Sequence, residues 1–145
     1  MEDPEGLAAF FRSRGLKVTP QRQAIFASLH RAPGHATAEG VYRDVRPAVP
    51  TISLKTVYET LHCLAGLGQL RLLELGTGSM LFDSRLTPHG HLICRVCDDT
   101  VDVEVVGTEA WVPGAGPLGF AVSHVEVIAR GLCASCRDHA PPTGA

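Results

Sequence analysis

Apolar residues recur at helical spacing through the first half of the chain. Leu7, Ala8, Phe10 and Phe11 share one face of a helix predicted over 5–14, and Gly15 ends it. Thr19-Pro20-Gln21-Arg22 places a hydroxyl N-cap before a proline at the first helical position, so a second helix is predicted up to His30. Ala24, Ile25, Ala27 and Leu29 form its inward stripe. Arg31-Ala32-Pro33-Gly34-His35 reads as a turn. Thr37 then caps a third helix to about Arg46, with Ala38, Val41, Tyr42 and Val45 inward, and Pro47 and Pro50 break the chain. Ser53 opens the clearest helix, which runs to about Leu67 and stops at Gly68; Leu54, Val57, Leu61, Leu64 and Ala65 face in.

Beyond Gly68 the pattern shortens. Apolar runs over 69–75 and 79–83 flank Gly76-Thr77-Gly78, a hairpin signature. Helices followed by a hairpin are the order of a winged helix-turn-helix. Residues 91–106 are rich in Val and Ile and read as strand, as do residues 120–132. Pro113, Gly114, Gly116 and Pro117 leave no room for a long helix between them. Cys133 to Cys136 closes the ordered part, and residues 140–145 read as a frayed tail. The expected fold is α+β, with an N-terminal winged helix over 1–83 and a second α/β domain over 84–145.

Composition is globular: 45% hydrophobic and 19% charged over 145 residues. No apolar run approaches the roughly 18 residues of a membrane span. The start, Met1-Glu2-Asp3-Pro4-Glu5, is acidic where a secretory leader would be basic, so a cytoplasmic protein is expected. The net charge of −2 hides an asymmetry. Residues 6–80 carry nine Lys and Arg against four Asp and Glu, whereas residues 81–145 carry four against eight. A basic first half and an acidic, Cys/His-rich second half suggest two tasks on one chain.

Five cysteines in a cytoplasmic chain point to metal or redox chemistry before disulfides. Cys94-Arg95-Val96-Cys97 and Cys133-Ala134-Ser135-Cys136 are two Cys-x-x-Cys units separated by 35 residues. Two such knuckles can set four thiolates in a tetrahedron around Zn²⁺, one ion per chain. Structural Zn²⁺ contributes on the order of 10–16 kcal/mol in model peptides, a large sum for a small core. Redox dithiols are the alternative, but a thioredoxin-like dithiol needs one pair in a βαβ setting. Upstream stand Asp83, His89 and His91. On extended chain the imidazoles of His89-Gly90-His91 point to one side. Imidazole and carboxylate suit Fe²⁺, Mn²⁺ or Zn²⁺, so this set would be the exchangeable site. A zinc deaminase is excluded, because neither His89 nor His91 is followed by Glu two residues on. Gly-x-Ser-x-Gly and phosphate-cradling glycine loops are missing too.

Taken together, Thr19-Pro20-Gln21-Arg22, Lys55-Thr56-Val57-Tyr58, the run from His89 to Cys97 and the closing Cys133-x-x-Cys136 resemble the ferric uptake regulator superfamily over residues 7–137. The resemblance implies a homodimeric, metal-dependent DNA-binding repressor with a C-terminal dimerisation domain. It implies Cys94, Cys97, Cys133 and Cys136 as structural zinc ligands. It implies His35, Asp83, His89, His91 and Asp102 as a regulatory site between the domains. Asp83, where iron-uptake members tend to have Glu, resembles the peroxide-sensing branch. That branch holds Fe²⁺, which reacts with hydrogen peroxide and oxidises ligands matching His35 and His89. An iron- or zinc-uptake regulator is the alternative within the superfamily; a metal-buffering or dithiol redox protein is the alternative outside it. Asp98 stands where the family usually has Gly, and Glu59 where many members carry Arg. His124 matches a ligand of a further family site whose partners are lost at Pro88 and Gly90. Cys63 matches no ligand and reads as a small buried apolar residue.

The helix after Ser53 is the candidate recognition helix, with Lys55, Thr56 and Tyr58 near its start. Lys55 can neutralise phosphate, hydroxyls can bond phosphate or base edges, and Tyr58 can pack on thymine methyls. Arg22, with Arg12, Arg14 and Lys17, offers backbone contacts. A two-fold dimer implies a palindromic operator on double-stranded DNA.

Overall fold

The computed structural model describes residues 2–31, 34–74, 80–106 and 125–139. The Gly76-Thr77-Gly78 turn, the Pro113–Pro117 stretch, His124 and the tail from 140 lie outside them, as do Ala32 and Pro33 of the predicted turn. The chain divides into two compact units, Met1–Leu86 and Thr87–Ala145.

The first unit holds helices α1 (Pro4–Ser13), α2 (Pro20–Arg31), α3 (Ala38–Val45) and α4 (Leu54–Gly66), and the last three start where the capping signals stand. Asp3 accepts from the Gly6 amide, Thr37 from the Gly40 amide and Ser53 from the Thr56 amide. Thr19 Oγ1 accepts from the Arg22 amide at 3.3 Å. Gly68 leaves α4 with φ 73°, a conformation that favours glycine. The inward stripes merge in one core, in which Phe11, Phe26, Val57, Leu61, Leu64 and Phe82 are fully buried. Phe11 meets Phe26 edge-on at 5.0 Å between ring centroids. Cys63 packs against this core, half-buried.

Strands β2 (Arg71–Glu74) and β3 (Met80–Asp83) pair antiparallel as the predicted hairpin. A third strand was not expected. His35-Ala36, read above as part of a turn, forms β1 and pairs antiparallel with β3, giving the order β1-β3-β2. Two residues are too short for any period to register. Backbone bonds complete the strand: Ser84 donates its amide to the Gly34 carbonyl, and its hydroxyl accepts from the Gly34 amide at 2.9 Å.

The second unit is a mixed sheet, β5-β4-β6, with β4 (Gly90–Cys94) at its centre. It pairs antiparallel with β5 (Thr100–Val103) and parallel with β6 (Val127–Gly131). The single strand expected over 91–106 is therefore two strands folded about a tight turn. The Cys94–Cys97 knuckle makes that turn, closed by Asp98 in the left-handed region at φ 58°. Asp tolerates this conformation less well than glycine, which gives a backbone reason for a glycine at this place. After β6, residues 134–139 form a short helix, α5 (Ala134–His139), where only a closing segment was expected.

Candidate metal centres and nucleic-acid interface

The four knuckle cysteines meet within the second unit. Cys94 ends β4, Cys97 lies in the turn, Cys133 follows β6 and Cys136 sits on α5. Their Sγ atoms all lie within 4.8 Å of one another, and Cys97 is 3.7 Å from Cys133. A disulfide needs about 2.05 Å. A tetrahedron with Zn–S bonds of about 2.3 Å has edges near 3.8 Å. The donor set thus has the chemistry and spacing of a closed tetrathiolate site. Amides of Cys133, Cys97 and Val96 hold the Cys94 thiol down at about 6, favouring the thiolate that binds metal. Hydrogen bonding to the thiols of Cys133 and Cys97 pushes Cys136 up to about 12, because neighbouring thiols cannot all ionise without a cation between them.

The nitrogen and oxygen donors fall into two groups, one per unit. In the first, His35 on β1 is the register partner of Asp83 on β3. Asp83 is fully buried, and its Oδ1 accepts from the Arg85 amide at 2.7 Å. In the second, His89 and His91 flank Gly90, with ring centroids 4.7 Å apart. His91 faces Asp102 in the β4–β5 register. Asp102 Oδ1 lies 3.5 Å from His89 Nε2 and 3.9 Å from His91 Nε2. Nδ1 of His89 stands 2.8 Å from the Thr87 carbonyl. A carbonyl only accepts, so Nδ1 carries a proton there, which leaves Nε2 as the ring nitrogen a metal could take. Gly90 is demanded by packing: a Cβ there would meet Val105 Cγ2 at 2.6 Å and the Val127 carbonyl at 3.0 Å.

On α4, the exposed positions Lys55, Glu59 and His62 run along one stripe, with half-buried Tyr58 at its border. Lys55 Nζ lies 3.8 Å from Glu59, so its charge is partly answered within the helix. The Thr56 hydroxyl is 3.0 Å from Ser53 Oγ, inside the N-cap. The Tyr58 hydroxyl donates to Glu39 on α3 at 2.7 Å. Arg22 donates to the Lys17 carbonyl at 2.6 Å and lies over the Phe11 ring at 5.3 Å, a brace of the first unit as well as a cation. Sequence reasoning missed a groove of about 590 Å³ lined by Tyr42, Arg43, Arg46 and Pro50. Arg43 and Arg46 lie one helical turn apart on and just past α3, a signal that was present in the sequence.

Helices α2, α3 and α4, with β1 between the first two, precede the β2–β3 wing, the arrangement of a winged helix, and the second unit adds a cluster of four cysteines. The model of the ferric uptake regulator family matches residues 13–128. The peroxide-responsive repressor PerR of Staphylococcus saprophyticus is 34% identical over 128 residues, 88% of this chain and 86% of that protein. The ferric uptake regulator of Vibrio cholerae shares the fold at a TM-score of 0.73 and 24% identity, covering 88% of this chain and 99% of that one. PerR of Streptococcus pyogenes, described in terms of peroxide sensing and gene regulation, matches at a TM-score of 0.54 and 27% identity, with 94% of each chain covered. The chain belongs to the ferric uptake regulator family.

Proposed function

We propose that the chain is a homodimeric, metal-dependent repressor that binds a palindromic DNA operator and is released from it by hydrogen peroxide. Residues 1–83 read the DNA, and residues 84–145 form the dimer and hold the structural zinc. The protein acts in the cytoplasm as a regulator rather than an enzyme. The family membership and the PerR relatives support this reading. The observation that carries it is the placing of the His89 ring: with Nδ1 2.8 Å from the Thr87 carbonyl, Nε2 is presented beside His91 and Asp102 as a preorganised donor set.

In this reading His35 and Asp83 from the first unit join His89, His91 and Asp102 from the second around one exchangeable Fe²⁺ or Mn²⁺. Zn²⁺ can substitute. Each group is ordered by its own sheet, His35 and Asp83 by register on β1 and β3, the others by β4 and β5. An ion drawing on both groups favours one arrangement of the units, with a coupling of about 1–3 kcal/mol, or roughly 5–150-fold in DNA affinity. Fe²⁺ held there would supply the redox chemistry that reduces peroxide beside the ligand rings. Each peroxide would pass one oxygen atom to a single ring, on His35 or His89, and leave its other oxygen as water, a two-electron oxidation of the imidazole overall; the oxidised ring would be a weaker donor, and the ion would be released.

Mass spectrometry of the Fe²⁺-loaded protein after peroxide, paired with a DNA-shift assay, tests this. One added oxygen atom on peptides containing His35 or His89, with loss of operator binding, is expected. Unmodified histidines would make metal level the signal, as in an uptake regulator. DNA binding indifferent to metal and sequence would overturn the repressor reading itself.

A further inference from the structure

The chain passes from the first unit to the second at Leu86–Thr87. Asp83 ends β3, and the residues after it are tied back to the first unit. Ser84 donates its amide to the Gly34 carbonyl at 3.1 Å, and its hydroxyl accepts from the Gly34 amide at 2.9 Å. The Arg85 amide donates to Asp83 Oδ1 at 2.7 Å. The last tie comes from the wing. Arg71 on β2, half-buried and the register partner of Asp83, donates from Nη2 to the Leu86 carbonyl at 2.6 Å. Beyond it the second unit begins. The Thr87 carbonyl lies 2.8 Å from Nδ1 of His89. Pro88 fixes its own φ at about −65° and confines Thr87 to extended backbone. The torsions left to the linker are those at the Leu86–Thr87 junction. On one side of it stands a carbonyl held by the wing, on the other a carbonyl held by a candidate metal ligand.

We infer that Arg71 is a positioning residue for metal-dependent DNA binding: its bond to the Leu86 carbonyl stiffens the first unit's end of the linker, so that an ion held by His89 and His91 acts on the winged helix through a short tether. The inference rests on the metal-dependent repressor reading above. A ligand shifts an equilibrium only as far as it distinguishes two states. A slack tether lets the second unit's donors hold an ion in many arrangements of the chain, so its binding constrains the winged helix little. A stiff tether leaves few arrangements, and the effective concentration of one donor group at the other is higher. By linkage, whatever Arg71 adds to the effect of metal on DNA affinity it adds equally to the effect of DNA on metal affinity.

The test uses the full-length, zinc-retaining protein, with Mn²⁺ as the probe. Wild type selects an operator from a randomised double-stranded DNA library in Mn²⁺. Operator affinity is then measured with and without Mn²⁺, and the ratio of the two is the readout. Arg71→Met keeps the aliphatic stem and removes the donor. Its ratio should fall by roughly two- to tenfold, the worth of one hydrogen bond, with the Mn²⁺-free affinity unchanged. Arg71→Lys, which can still reach the carbonyl with one N–H, should keep most of the ratio. A Gly-Gly insertion between Leu86 and Thr87 slackens the tether with Arg71 in place. It should lower the ratio at least as far, and adding Arg71→Met to it should cost no more. An arginine that only contacts DNA, or only stabilises the wing, would lower affinity by one factor with and without Mn²⁺. That result, or a ratio unaltered in Arg71→Met, overturns the inference while the repressor reading stands. If Arg71→Met does not fold, the insertion decides, and a ratio it leaves unaltered overturns the inference as well. If wild type gains nothing from Mn²⁺, both fail.

Discussion

The two units reach order by different physical routes. In the first, apolar side chains from four helices and the wing bury one another, and Phe11, Phe26, Leu61, Leu64 and Phe82 lose almost all contact with solvent. In the second, Ile93 and Cys94 are the buried apolar residues among those described, while Leu92, Val96, Val101, Val106 and Val125 are each more than a third exposed. Among the described residues the sheet has little core of its own, so a second source of order would count heavily there. The four cysteines, brought together from the turn after β4 and the segment after β6, would supply one by holding zinc. A second copy covering the exposed valines and leucine would supply another, in keeping with the homodimer proposed above. The contrast is between a hydrophobic fold that presents donors and a ligand-held fold that depends on them.

The largest effect should come from breaking the thiolate set. Structural zinc is worth on the order of 10–16 kcal/mol in peptides, more than a small unit's whole stability. Cys97→Ser is expected to abolish tight zinc retention and to strip hydrogen-exchange protection from β4, β5 and β6. Helices α1 to α4 should keep theirs. Metal analysis and exchange mass spectrometry on the same full-length sample check this. Unchanged protection in β4 to β6 would erase the contrast.

The converse experiment is smaller. Phe26 is fully buried against Phe11, far in sequence from the four knuckle cysteines. Phe26→Ala should destabilise the first unit by about 3–5 kcal/mol and leave the zinc bound. Urea unfolding, followed alongside zinc release, would show the two transitions separating. A common shift of both would mean that one core serves both units.

The same contrast explains how much could be read from residues alone. Helices α1 to α4 were legible within a residue or two at each end, because caps at Thr19, Thr37 and Ser53 and glycines at 15 and 68 mark them chemically; the Asp3 cap of α1 was not read. The cysteine cluster was legible because its spacing is itself the signal. The failures were where order is imposed from outside the segment. The two-residue β1 exists only because β3 pairs with it. The strand over 91–106 splits because a knuckle, not a glycine or proline, turns the chain at Asp98. The intramolecular partners of Arg22, Thr56 and Tyr58 are invisible in a list of surface polar residues, since each lies on a different helix, loop or cap.

The finest test of the contrast uses acid. Asp44, at the end of α3, accepts from the Ser28 hydroxyl and meets Arg31 Nη2 at 2.6 Å, so the ends of α2 and α3 are tied. The Ser28 bond first, and the Arg31 guanidinium second, hold the carboxyl below its ordinary 3.8. A carboxyl with a lower value folded than unfolded adds stability above about pH 4 and loses it as the pH falls through the folded value. The Arg31–Asp44 pair is about half exposed, so screening limits the tie to at most about 1 kcal/mol. Wild type should therefore exceed Asp44→Asn in the urea midpoint of the first unit at pH 7, and the difference should shrink as the pH falls below 3.8 and through the folded value. The second unit should already have opened by then, because protons compete with zinc for every one of its four thiolates. If acid instead melts both units at one pH, with the Asp44→Asn difference intact, the stability of the helical core is tied to the metal after all.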